Sequence, residues 1–161
     1  MKIAIYPGSF DPVTLGHLNI IERAATIFDQ VIVCVMFNCE KRPMFSPEER
    51  VELIRRVTAH LDNVIVECSS EMLASYAVQK GSCVIVKGLR AATDFEKEFQ
   101  MALINNKLNP DLDTMFLTAD AQFMYLSSSA VKELGLYDVD LSDFLPEAII
   151  DDFKKRLEER R

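Results

Sequence analysis

Five short, nearly unbroken apolar runs, with helix-patterned segments between them, constrain this chain more than any other feature: Lys2–Tyr6, Val31–Val35, Val64–Glu67, Cys83–Val86 and Thr114–Leu117. Runs this short and rich in β-branched residues read as strands, and continuous apolarity in place of alternation reads as strands covered on both faces. Helix signals fill the gaps. Gly16 to Phe28 sets Leu18, Ile21, Ala25 and Phe28 on one stripe, and Ser46-Pro47-Glu48-Glu49 is a capping box with proline at the first helical position. Met72 to Lys80 stops at Gly81, Asp94 to Leu108 carries Phe95, Phe99 and Leu103 and stops before Pro110, and Ser129 to Leu134 ends at Gly135. A last amphipathic helix from about Glu147 turns Ile149, Ile150, Phe153 and Leu157 inward. Strand–helix alternation of this kind predicts an α/β fold with right-handed crossovers and a doubly wound parallel sheet. Ligands of such sheets bind beyond the carboxyl ends of the strands, where the strand order switches.

Composition narrows the class. The 161 residues show no repeat, linker or break in composition, so one domain over residues 1–161 is expected. With 49% hydrophobic residues, 5 Gly and 6 Pro, the chain is neither disordered nor collagen-like. No apolar run approaches the roughly 18 residues that a membrane span needs, and the apolar start is too short for a signal peptide, so a cytoplasmic protein is expected. Lys and Arg number 18 against 25 Asp and Glu, a net charge of −7, which disfavours general binding of nucleic-acid backbone and makes any phosphate site a local one. Cys34, Cys39, Cys68 and Cys83 form no CxxC pair; reduced thiols are expected, with Cys34, Cys68 and Cys83 acting as small hydrophobes in or beside apolar segments.

The polar segments at strand ends carry the chemistry. After the first strand, Gly8-Ser9-Phe10-Asp11-Pro12-Val13-Thr14-Leu15-Gly16-His17 offers glycines for close backbone approach and a histidine in the first turn of a helix, whose free N–H groups suit a phosphate. The plain alternative is a strand–turn–helix connection capped by Asp11 or Thr14. Lys41 and Arg42 follow the second strand, and Lys87 and Arg90 flank Gly88-Leu89 after the fourth; in an acidic chain, paired cations at one sheet edge point to an anion site. Asp94 and Glu98 share a helix face. Ser127-Ser128-Ser129 supplies an N-cap with hydroxyls to spare. Ser129-Ala130-Val131-Lys132 matches SxxK but lacks its SDN and KTG companions. Neither a Walker A loop nor GxGxxG is present, and His60 reads as a surface residue. His, Lys, Arg, Ser and backbone N–H without an evident nucleophile suit direct phosphoryl or nucleotidyl transfer.

The segment Gly8-Ser9-Phe10-Asp11-Pro12 with Thr14 and Gly16-His17 resembles the signature of the HxGH nucleotidyltransferase superfamily. Lys41-Arg42-Pro43-Met44-Phe45, Glu48-Glu49-Arg50, Gly88-Leu89-Arg90-Ala91, Asp94-Phe95-Glu96 and the serine triplet are similar to those of the bacterial phosphopantetheine adenylyltransferases. The resemblance runs the length of the chain. It implies a Rossmann-like fold, a homohexamer, and transfer of the adenylyl group of ATP, accompanied by Mg2+, to 4′-phosphopantetheine with release of pyrophosphate. It implies that Ser9 meets both substrates and that His17 stabilises charge at the α-phosphate. By the same resemblance Lys41, Leu73 and Lys87 hold phosphopantetheine. Phe10, Gly88, Leu89, Arg90, Glu98, Phe123, Met124, Tyr125, Leu126, Ser127, Ser128 and Ser129 would line the ATP site. The chain departs from the common pattern at Thr14 (the first histidine of HxGH), Lys87 (commonly Arg), Leu126 (Ile) and Phe123 (often Trp). Two alternatives stand beside this expectation: a sister nucleotidyltransferase with another phosphorylated acceptor, and a non-catalytic nucleotide-binding regulator.

Overall fold

The computed structural model describes residues 1–37 and 43–160, with the side chain of Thr93 set aside. Cys39, Lys41 and Arg42 therefore lie outside the described residues. In chain order the elements are β1 (Ile3–Gly8), α1 (Leu15–Ile27), β2 (Gln30–Met36), α2 (Pro47–Val57), β3 (Val64–Ser69), α3 (Leu73–Gln79), β4 (Val84–Leu89), α4 (Ala92–Leu108), β5 (Asp113–Thr118), a 3-10 turn (Ala121–Phe123), α5 (Ser128–Leu134) and α6 (Glu147–Glu159). The five strands form one sheet in the order β3-β2-β1-β4-β5, and each neighbouring pair is parallel. This is the doubly wound α/β arrangement expected from the apolar runs, with the switch in order between β1 and β4.

Strand alternation sends side chains to two cores. Ala4, Tyr6, Val31, Val33, Val35, Val66 and Val86 face a larger core with buried residues of α1, α2, α5 and α6. Ile5, Ile32, Cys34 and Ile85 face a smaller one closed by Ala74, Tyr76 and Ala77 of α3. Coverage of this second face is incomplete. The segment carrying Phe95, Phe99 and Leu103 is helical, as the pattern predicts, but in α4 these side chains are 43%, 46% and 57% exposed.

Two strands run further than their apolar runs. Lys87, Gly88 and Leu89, expected in a loop, are the last residues of β4, paired with Phe116, Leu117 and Thr118 of β5; β1 likewise stays paired with β2 as far as Gly8, opposite Val35. Between β1 and β4, however, only Ala4–Val84 and Ile5–Ile85 are paired. The two halves of the sheet part at the switch, and the gap between their carboxyl ends is the mouth of the site.

The helix ends show what local sequence does. Ser46 accepts from the Glu49 amide while the Glu49 side chain accepts from the Ser46 amide, the reciprocal cap expected at α2. Gly81 follows α3 at φ +64°, a conformation that needs no Cβ. Gly135 stands at the end of α5 for a different reason: its φ is −64°, and a Cβ there would lie 2.5 Å from Leu157 and 2.7 Å from Phe153 of α6. It is a close-approach glycine, not a left-handed stop. Among the cysteines, Cys34 is buried as a small hydrophobe, whereas Cys68 and Cys83 are exposed, correcting the expectation for those two. Cys68 lies on β3, which forms an edge of the sheet among the described residues.

Candidate active site

Two clefts open beyond the carboxyl ends of the strands and share a wall. The first, about 430 Å³, is bounded by the end of β1 (Tyr6 to Gly8) with Ser9, the start of α1 (Gly16, His17, Ile20), the end of β4 (Lys87, Gly88) with Arg90, and Phe123, Leu126 and Ser127 to Ser129. Phe10, Thr14, Glu98 and Ala119 complete it. The second, about 510 Å³, is formed by Met36, Phe37, Pro43, Arg50, Leu73, Asp11 and Lys132, and shares Pro7, Gly8, Ser9, Lys87, Ser128 and Ser129 with the first.

His17 is held by Thr14. The Thr14 hydroxyl caps α1 by accepting from the His17 amide at 3.3 Å, and the Thr14 amide donates to His17 Nδ1 at 3.0 Å. The capping alternative and the functional one coincide: Thr14 caps the start of the helix and at the same time orients the imidazole. Because Nδ1 accepts, the proton of the neutral ring sits on Nε2. Burial, with Arg90 and Lys87 nearby, lowers the His17 pKa to about 4. The ring is thus a neutral donor at physiological pH, comparable in kind to an oxyanion-hole group.

Phe10 adopts a left-handed backbone (φ 47°) and buries its ring, edge-on to both Tyr6 and His17 at centroid distances of 5.2 and 5.0 Å. A Cβ on Gly8 would come within 2.9 Å of this ring, so glycine is what lets β1 pass over it. Gly88 is equally constrained, its added Cβ meeting Ile20 at 3.0 Å. Tyr6, buried beside the first cleft, has its pKa raised chiefly by burial and stays a neutral phenol.

The cations prove to be partnered. Lys87 Nζ lies 3.1 Å from Glu98, and Arg90 Nε donates to Asp94 at 3.1 Å while its Nη1 donates to the Leu126 carbonyl at 2.6 Å. Asp94 and Glu98, whose shared helix face was noted in the sequence, act here as counter-ions that aim the two cations. Of the serines, Ser127 caps α5 by accepting from Ala130, and Ser128 donates to the Pro12 carbonyl at 2.8 Å. Asp11 is buried and accepts from the Met44 and Phe45 amides at 2.8 Å each and from Lys132 at 2.6 Å.

Of the residues expected at the site, Ser9 lines both clefts, as do Lys87, Ser128 and Ser129; Phe10, His17, Gly88, Arg90, Glu98, Phe123, Leu126 and Ser127 line the first, and Leu73 the second. Leu89, Met124 and Tyr125 are not among the residues lining either cleft. Leu89 ends β4, whose pairing with β5 fixes its direction, and Met124 and Tyr125 are turned outward, Tyr125 against Phe144 at 6.2 Å. Lys41 lies outside the described residues. Sequence reasoning missed Tyr6, Ile20, Arg50 and Lys132 as lining residues. Arg50 is 3% exposed and reaches across to donate to the Ser9 carbonyl at 2.8 Å, a contact between residues 41 apart in sequence that no local pattern signals.

Comparison with known proteins adds to this geometry. The family model described as Cytidylyltransferase-like matches residues 5–134. A curated protein of Clostridium botulinum (strain 657 / Type Ba4) named phosphopantetheine adenylyltransferase is 50% identical over 161 residues, covering 100% of this chain and 98% of its own. One of the same name from Alkaliphilus metalliredigens (strain QYMF) is 51% identical over 156 residues, covering 97% and 99%. Among solved structures, a putative nicotinate-nucleotide adenylyltransferase from Vibrio parahaemolyticus superposes with a TM-score of 0.69 at 19% identity, covering 97% of this chain and 96% of its own. The Plasmodium falciparum nicotinic acid mononucleotide adenylyltransferase complexed with NaAD gives 0.64 at 14%, covering 99% and 95%. At such identities the structural neighbours establish shared fold alone.

Proposed function

This chain belongs to the cytidylyltransferase-like family and, within it, to the phosphopantetheine adenylyltransferases, and from that premise we propose that it transfers the adenylyl group of ATP to 4′-phosphopantetheine in coenzyme A biosynthesis. An oxygen of the acceptor phosphate attacks the α-phosphorus of ATP in line. The new P–O bond forms as the bond to the pyrophosphate leaving group breaks, giving dephospho-coenzyme A and pyrophosphate with no covalent enzyme intermediate. The observation that carries this reading is the pair of adjoining clefts whose common wall, Ser9, Lys87, Ser128 and Ser129, lies where two phosphorylated substrates would meet. ATP would occupy the cleft holding His17, Gly88 and Arg90, and the acceptor the cleft holding Leu73, with its phosphate toward the shared wall.

In this reading the chain supplies position and charge stabilisation. Nε2–H of His17, held outward by the Thr14 amide on Nδ1, donates to an α-phosphate oxygen as charge grows there. Lys87, aimed by Glu98, meets the acceptor phosphate. Mg2+ accompanying the nucleotide would supply neutralisation of phosphate charge. Lys87 and Arg90, each paired with one carboxylate, are the cations this chain itself brings to the phosphates.

We further propose a cytoplasmic homohexamer. No helix among the described residues is long and apolar enough to cross a membrane. The uncovered face of α4, with Phe95 and Phe99 stacked at 5.4 Å, supports burial against other copies. The test of the reaction offers ATP with 4′-phosphopantetheine, nicotinamide mononucleotide or glycerol 3-phosphate in turn and measures pyrophosphate. Release with 4′-phosphopantetheine alone is expected; release only with another acceptor would overturn the reading in favour of a sister activity, and release with none in favour of a regulator.

A further inference from the structure

The three-residue segment Pro43–Phe45 is gripped from two sides. Asp11 takes its Met44 and Phe45 amides. Its carbonyls are taken by the far end of the chain: Arg156 Nη1 donates to the Met44 carbonyl at 2.8 Å, and Arg160 Nη2 donates to the Pro43 carbonyl at 2.6 Å. The Arg156 guanidinium also lies over the Phe45 ring, 4.8 Å from its centroid, and pairs with Glu49 of α2. Pro43 and Asp11 line the second cleft, whereas neither arginine lines either cleft.

Docking of α6 does not require this arrangement. Ile149 and Phe153 are fully buried in the larger core, and Arg56 pairs with Asp152 at 2.7 Å to join α2 and α6. The two arginines are an addition to that docking, and both converge on consecutive carbonyls of one cleft-wall segment. A guanidinium has five donors in a fixed fork, so Arg156 sets the Met44 carbonyl, the Phe45 ring and Glu49 relative to one another. We propose that Arg156 and Arg160 are positioning residues for the acceptor: from outside the site they fix the Pro43 wall of the second cleft, and so the affinity for the acceptor but not for ATP. This rests on the assignment of the second cleft to the acceptor made above.

Steady-state kinetics of the full-length R156M, R160A, R160K and D152N variants test it, with thermal melting alongside. R156M is expected to raise the KM for 4′-phosphopantetheine about fivefold to tenfold and R160A about twofold to threefold, only a part of what the lost charge-assisted hydrogen bonds are worth, because the loss reaches the acceptor through the wall. KM for ATP and kcat stay within about twofold of wild type in both. R160K keeps a single donor for the Pro43 carbonyl and restores the wild-type acceptor KM. D152N loosens the same helix without touching the segment and leaves the acceptor KM unchanged, whatever it does to melting. An unchanged acceptor KM in both R156M and R160A, a parallel rise in the KM for ATP, or a rise in D152N equal to that in R156M would overturn the proposal. Absence of wild-type turnover with 4′-phosphopantetheine is visible before any substitution and overturns the assignment of the reaction itself.

Discussion

At the scale of the residue, the proposed reaction gives His17 the charge-stabilising role, and its value there lies in remaining uncharged. A folded-state pKa of about 4 against an ordinary 6.5 means that between those values the unfolded chain binds a proton that the folded chain refuses. Stability contributed by the neutral ring is complete above pH 6.5 and is lost as pH falls toward 4. His17→Ala should therefore show a weaker fall of melting temperature between pH 6.5 and 4 than wild type. The same variant should lose about 100-fold or more in kcat, the scale of one oxyanion donor, while its calorimetric affinity for ATP stays within about threefold. A wild-type kcat in that variant would remove His17 from the mechanism. The residue types were legible in the sequence because phosphate chemistry uses few of them. Their partners were not: Glu98 on Lys87 and Arg50 on Ser9 join groups that the fold brings together.

At the scale of the element, caps and stops were legible where the signal is local. The Ser46–Glu49 cap needs only four consecutive residues, and α2 begins where it says. Strand ends were not, because Gly8 and Lys87-Gly88-Leu89 have no strand propensity of their own and are held in line by partners on β2 and β5. The two helix-ending glycines, alike in sequence, differ in cause, and substitution separates them. Gly135→Ala is expected to cost about 1–3 kcal/mol by overpacking against Phe153 and Leu157, with Gly135→Asn costing more. Gly81→Ala should cost about 1–2 kcal/mol through its left-handed backbone, and Gly81→Asn less than that, since asparagine tolerates the conformation. Urea titration of the four variants measures this; equal penalties for Ala and Asn at Gly81 would exclude the backbone explanation.

At the scale of the whole molecule, the periodic alternation of strand and helix was enough to give the layer architecture, since a sheet with apolar runs on both faces has few ways to be covered. What pattern could not reveal is how unequally its two faces are clothed. The apolar positions of α4 look like a core stripe in sequence and lie half in solvent in the chain alone. If those positions meet other copies, Phe99→Asp should convert a hexamer to smaller species in sedimentation velocity without unfolding the subunit by circular dichroism. An assembly unchanged by Phe99→Asp would place the contact elsewhere. The early parting of β1 from β4 bears on this larger scale as well. Elsewhere in the sheet the spacing of neighbouring backbones is stitched by regular bonds at every step, but past Ile5 and Ile85 the seam is left open. Side chains stand there in place of backbone bonds, with Ile20 close against Gly88 and the Tyr6 hydroxyl just beyond. The aperture is thus bounded by volume and not by bonding, and close packing makes side-chain size at Ile20 the quantity to which it answers.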